Sequence, residues 1–180
     1  MILWIIVIAA SILLDQLTKL IVVNSMELYD SIVLIPKLFS FTYIPNYGAA
    51  WGMFSEHRWV FMVVTSVALI IMPIILYKYR KVHVLFNLSL SLFIGGAIGN
   101  MIDRVFVGYV VDFLEFTFID FPVFNVADIC VVFGAGIMIV YALFFDKTFF
   151  VDKKPAPSTV SKEEDTADDG TNQKNTDNGN

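Results

Sequence analysis

Apolar residues in this chain come in long runs, each closed by a short polar stretch, and four runs reach the length of a membrane span. They cover residues 2 to about 23, 59–77, 84 to about 106, and about 124–145. A hydrocarbon core about 30 Å thick needs about 20 residues of helix at 1.5 Å each. The first run contains Asp15, Gln16, Thr18 and Lys19, the second has no charge and carries Pro73, the third turns polar near its end, and the fourth contains Asp128. A proline is tolerable in a membrane helix. The pattern predicts a membrane protein, mainly α, built as a four-transmembrane-helix bundle.

Between the runs the period changes. Residues 31–36 and 38–44 are rich in β-branched and aromatic side chains and read as short strands, and 112–118 alternates polar with aromatic positions. A small extracytoplasmic β-sheet cradle at the membrane surface is expected from the outer loops 24–58 and 107–123. Residues 1–150 then form a single integral membrane domain. Residues 151–180, dominated by Pro, Ser, Thr, Asn, Asp, Glu and Lys, read as a disordered acidic cytoplasmic tail.

Composition agrees: 57% of residues are hydrophobic and 16% charged. The net charge of -5 owes much to the tail. Cys130, alone in an apolar run, excludes an intramolecular disulfide and reads as a packing residue. The first run has no Lys or Arg before it and no small-residue cleavage pattern, so it reads as a retained span. Lys78, Arg80 and Lys81 crowd the connection between spans two and three, and Lys147, Lys153 and Lys154 follow span four. The positive-inside bias then puts both termini in the cytoplasm of a multi-pass protein. Trp51, Trp59, Tyr77 and Tyr79 read as interfacial anchors.

With this orientation the embedded polar groups converge on one level near the outer leaflet. Asp15 and Lys19 lie in the outer half of span one, Asn100, Asp103 and Arg104 at the outer end of span three, and Asn125 and Asp128 at that of span four. Asp128 is about one turn, roughly 5 Å, deep. Asp15 with Lys19 is most simply an ion pair at i,i+4, and Arg104 could reach the headgroups with Asp103 balancing its charge. Gly95 and Gly99 read as packing positions, and Asn46 as part of an ordinary turn. Asp112 and Asp128 are harder to dismiss, since neither has a basic residue three or four positions away. A carboxylate in the bilayer costs about 2.5 to 3.5 kcal/mol on insertion scales, so an unpaired one marks function.

Two carboxylates facing each other across a small gap share one proton, because like charges that close do not both ionise. Such a dyad suits peptide hydrolysis, the ionised member taking a proton from water and the neutral one protonating the carbonyl oxygen. Metal and serine hydrolases are disfavoured, since His57 and His83 fall on opposite sides of the membrane and no histidine lies at the level of the cluster. The residues alone stop at an outward-facing intramembrane site with two candidate catalytic aspartates.

Five motifs add a resemblance: Asp15-Gln16-Leu17-Thr18-Lys19, Asn46-Tyr47-Gly48-Ala49-Ala50-Trp51, the stretch from Gly95 through Asn100 to Asp103-Arg104, Val111-Asp112-Phe113, and Phe124-Asn125-Val126-Ala127-Asp128. In this order and spacing, from about residue 1 to 146, the chain resembles the bacterial lipoprotein signal peptidase family, signal peptidase II. The resemblance implies an intramembrane aspartic endopeptidase of the bacterial cytoplasmic membrane. It removes the signal peptide from diacylglyceryl-modified prolipoproteins, cutting just before the lipid-modified cysteine, and is inhibited by globomycin. Asp112 and Asp128 take the catalytic places. Asp15, Lys19, Asn46, Gly48, Asn100, Arg104, Asn125 and Ala127 take the substrate-binding or site-supporting ones. No metal, cofactor or nucleic acid is implied, the partners are prolipoprotein and membrane lipid, and a monomer is sufficient. Trp51 stands where the family more often has Phe, and the tail after Lys154 is outside the resemblance.

The alternative from another class is a small ion- or proton-coupled membrane transporter, for which intramembrane charges are the usual marker. A pathway would place polar groups along its whole depth, whereas the inner halves here read as nearly empty of them. A membrane assembly factor using the sheet edge is a third reading, and it would tolerate loss of either aspartate.

Overall fold

The computed structural model describes residues 1–48 and 58–145. Trp51, His57 and the acidic tail expected at 151–180 lie outside the described residues. Four helices, α1 (Ile2–Ser25), α2 (Arg58–Lys78), α3 (Val84–Phe106) and α4 (Val126–Phe144), alternate with three strands, β1 (Ser31–Ile35), β2 (Phe39–Asn46) and β3 (Val110–Phe116). Helices α1, α3 and α4 are long and apolar enough to cross a membrane, while the apolar stretch of α2, Met62–Lys78, is shorter. Helix α3 is the hub, with α4, α1 and α2 all packed on it.

The helices are inside-out by the standards of a water-soluble bundle. On α1 the buried positions are Trp4, Ser11, Asp15, Lys19 and Val22, spaced by three, four or seven residues and so on one stripe, while Leu13 is 68% exposed and Asp15 0%. An apolar exterior around a polar stripe suits lipid as the surrounding solvent. On α3 the same logic runs in steps of four through Asn87, Ser91, Gly95, Gly99 and Asp103, all buried. The glycines are there for close approach: a Cβ on Gly99 would sit 2.5 Å from the Asp15 carboxylate, and one on Gly96 would meet the Ala127 carbonyl. Packing is therefore the role of this glycine run, as its spacing predicts.

Asn87, Ser89 and Ser91 correct the expectation that the inner part of span three is empty of polar groups, since all three are buried. Asn87 donates to the carbonyls of Arg80 (3.1 Å) and His83 (3.0 Å), and Ser91 donates back to the Asn87 carbonyl at 2.7 Å. These side chains stitch the α2–α3 connection to the helix start, which hydropathy does not register.

The sheet is antiparallel in the order β1-β2-β3. Val33 pairs with Ser40 and Phe41 with Leu114, then a register shift after Phe41 brings Ile44 opposite Asp112 and Asn46 opposite Val110. Strand β3 thus starts two residues before the expected 112, because Val110 and Val111 continue the pairing. Asn46 is the last residue of β2, and its side chain, accepting from Gly48 N, opens the turn expected there. Pro45 is tolerated because β1 pairs only as far as Thr42, leaving that end of β2 with one neighbour. Val22, Tyr43, Val111 and Phe113 form a core between α1 and the sheet, and a second core gathers Trp4, Leu76, Leu90 and Ile94.

Helix α4 begins at Val126, two residues after the expected 124, for a local reason. Phe124 bridges to Leu114, donating to its carbonyl at 3.0 Å, and Asn125 is the N-cap. Its side chain accepts from Asp128 N (3.0 Å) while the Asp128 carboxylate accepts from Asn125 N (3.2 Å), a complete capping box. The loop from β3 into α4 is fixed by the same residues that carry the polar chemistry.

Candidate active site

Helices α1, α3 and α4 and strands β2 and β3 bring their polar side chains into one connected network. At its base lies Lys19, whose ammonium is 2.9 Å from Asp15 Oδ2 and 2.8 Å from Asp103 Oδ2 and donates to Asn100 Oδ1 at 2.9 Å. The expected Asp15–Lys19 pair is therefore present, but Lys19 also reaches across to α3. Asp15 Oδ1 accepts from Ala127 N at 2.9 Å, tying α1 to the first turn of α4. Ala127, itself 0% exposed, contributes its backbone and its small size.

Asp103 does not serve Arg104 as the sequence reading allowed. Its Oδ1 accepts from Gln16 Nε2 (2.9 Å) and its Oδ2 from Val111 N (3.0 Å), in addition to the Lys19 contact. Arg104 donates to the carbonyls of Asn100 (3.2 Å) and Gly48 (3.3 Å), so it faces the end of β2. Asp103, which the sequence placed at this level only as a balance for Arg104, and Gln16, which it gave no role, are members of the network. The stripe in steps of four along α3 ends on Asp103 and could have found it.

Above this base stand the two remaining aspartates. Asp112 on β3 accepts from Asn46 Nδ2 at 2.8 Å and Asn125 Nδ2 at 2.6 Å, one donor to each oxygen. Asp128 on α4 accepts from Asn100 Nδ2 at 2.8 Å and Asn125 N at 3.2 Å. Asn125 also reaches Asn100 Oδ1 (3.1 Å), and Asn46 Oδ1 accepts from Gly48 N (2.9 Å). All ten residues the sequence singled out meet here. Asn46, Gly48, Asn100, Arg104, Asp112 and Asp128 line a single cavity of about 260 Å³.

The charges do not balance. Four carboxylates meet two cations, and Asp112 and Asp128 are held by neutral amides and make no ion pair among the described residues. Asp112, in the sheet, is 2% exposed. Burial pushes its carboxyl up to about 7, the negative charge of Asp128 adds to the rise, and the Asn46 and Asn125 donors and Lys19 oppose it. A carboxyl that holds a proton near neutrality beside a second carboxyl can exchange protons with a reacting group between them.

Comparisons with known proteins agree with this architecture. The family model described as signal peptidase (SPase) II matches residues 7–144. A lipoprotein signal peptidase of Brevibacillus brevis is 47% identical over 137 residues, covering 76% of this chain and 92% of its own. One from Clostridioides difficile is 40% identical over 144 residues, covering 80% and 97%. Among solved structures, a bacterial membrane enzyme determined by the in meso method at 1.9 Å superposes with a TM-score of 0.70 at 34% identity, over 79% of this chain and 93% of that one. By family model, sequence identity and fold together, this chain belongs to the signal peptidase II family.

Proposed function

We propose that the protein is an intramembrane aspartic endopeptidase that removes signal peptides from diacylglyceryl-modified prolipoproteins, cutting before the lipid-bearing cysteine. One observation carries the aspartic mechanism: Asp112 and Asp128 border one small cavity, bound to neutral donors and, among the described residues, in no ion pair, while the neighbouring aspartates share Lys19. The dyad holds one proton. The ionised carboxylate takes a proton from water, whose oxygen attacks the peptide carbonyl, and the neutral carboxyl protonates the carbonyl oxygen. Collapse of the tetrahedral intermediate breaks the C–N bond, and the proton removed from water passes to the departing amine. Asn46, Asn100 and Asn125 orient the carboxylates, Arg104 and Gly48 border the peptide, and Asp15, Lys19 and Ala127 lock α1 to α3 and α4.

The chain is read as four spans in the bacterial cytoplasmic membrane with both termini inside, on the charge of Lys78, Arg80 and Lys81 between α2 and α3. Because one chain holds both aspartates, a monomer suffices. The transporter reading is not favoured: the inner polar groups Asn87 and Ser91 bond to nearby backbone carbonyls, and among the described residues no hydrogen bond joins them to the outer cluster.

The test is incubation of the purified full chain in nanodiscs with a prolipoprotein carrying the diacylglyceryl cysteine and with its unmodified precursor. Cleavage of the modified form alone, mapped to the bond before the cysteine, supports the reading; an intact modified substrate rules it out.

A further inference from the structure

Beneath the sheet, next to the polar cavity, lies a second one of about 460 Å³ with a different character. Its walls come from Phe39 and Phe116 on the strands, Phe124, and Ile129, Val132 and Phe133 on α4, and Asp128 stands at its edge. The two cavities share Phe121, Phe124, Asp128 and Val132, so the apolar one adjoins the polar one. A third cavity of about 380 Å³ continues from Val132 and Phe133 to Gly136 and Val140. Positions 128, 132, 136 and 140 fall at steps of four on one face of α4, so the groove runs along that face for about 18 Å at 1.5 Å per residue. One leaflet of a hydrocarbon core about 30 Å thick is about 15 Å deep.

Volume decides what the groove holds. A helix about 10 Å across occupies roughly 400 Å³ per 5.4 Å turn, so the cavity beside Asp128 would take about one turn of a signal peptide. A single extended hydrocarbon chain can follow the whole groove. We propose that this face of α4 is an acyl-chain track that receives one chain of the substrate's diacylglyceryl group, with Gly136 keeping its far half open. The inference rests on the peptidase reading and adds to it a subsite for the lipid. Gly136 lines the groove and a Cβ on it meets nothing within 4 Å, so a side chain there starts into open space at the groove wall. Gly136 lies about 12 Å along the helix from Asp128, beyond the reach of an eight-carbon chain that extends about half the depth of a leaflet.

The experiment compares kcat/KM of wild type and Gly136→Leu, as full chains in detergent, on two lipopeptides differing only in their acyl chains, eight or sixteen carbons long. The expected result is a loss of about tenfold on the sixteen-carbon substrate, comparable to losing roughly two buried methylenes, with the eight-carbon substrate within about twofold of wild type. Turnover of the short substrate also reports that the variant is folded. An equal loss on both substrates assigns the groove to the signal-peptide helix and overturns the proposal, as does no loss on either. Failure of wild type to cleave either lipopeptide is a separate result that removes the peptidase reading itself.

Discussion

The site contains two pairs of aspartates, and they are held in opposite ways. Asp15 and Asp103 share Lys19, at 2.9 and 2.8 Å, and take backbone donors from Ala127 and Val111. Asp112 and Asp128 share Asn125, with Asn46 and Asn100 on their outer sides. A cation strongly favours the ionised form of a carboxylate, whereas neutral amide donors orient it and favour that form less, so burial can still leave it a proton. One pair is therefore suited to clamp helices together and the other to move protons.

The sharpest way to break this contrast is to neutralise one member of the second pair. Asp112→Asn and Asp128→Asn are each expected to lower turnover by about 10⁴-fold while circular dichroism and thermal unfolding show an intact fold. Activity within tenfold of wild type in either variant would remove that carboxylate from the chemistry. In the first pair the effect moves from rate to stability. Lys19→Met leaves two buried carboxylates without their counter-ion and is expected to destabilise the folded state by about 3–5 kcal/mol. Unfolding in mixed micelles measures this, and an unchanged midpoint would mean the lysine does not clamp.

A third difference appears with pH. The folded pKa of Asp112, about 7, lies above its unfolded value of 3.8. The folded state then binds the extra proton between those values. Its contribution to stability is complete below about pH 4 and is lost as pH rises through about 7, by at most about 1.4 kcal/mol per pH unit. Unfolding midpoints at pH 5 and pH 8 should show a smaller drop for Asp112→Asn than for wild type, and identical drops would contradict a buried, proton-holding Asp112. The smallest effect is expected at the edge of the clamp. Gln16→Leu removes an amide that donates to Asp103, Asp15 and the Gly99 carbonyl, while both carboxylates keep Lys19 and a backbone donor, so a loss of about 1 kcal/mol with turnover within a few fold of wild type is expected.

Much of this was legible in the chain because lipid reverses the usual signal. Hydropathy finds the helices, and each polar interruption then stands out, so Asp15, Lys19, Asn100, Asp112 and Asp128 could be placed at one level before any contact was known. The double use of Lys19 was not legible, since a partner at i,i+4 explains it fully within one helix, while the second partner, Asp103, is 84 positions away. Gln16 was hidden beside Asp15, and Asn87 and Ser91 were hidden in an apolar average. The starts of β3 and α4 each missed by two residues, because strand pairing at Val110 and the Asn125 cap decide them.

The stripe on α1 bears on how the protein is made. Helix α1 is synthesised before α3 and α4, yet most of the groups that satisfy its polar face, Asn100, Asp103 and the Ala127 amide, belong to those later helices and emerge some eighty to one hundred and ten residues later. Until then Asp15 and Lys19 can neutralise only each other. Their spacing of one helical turn thus provides a temporary partner that lets the first helix remain in the membrane until its permanent neighbours arrive.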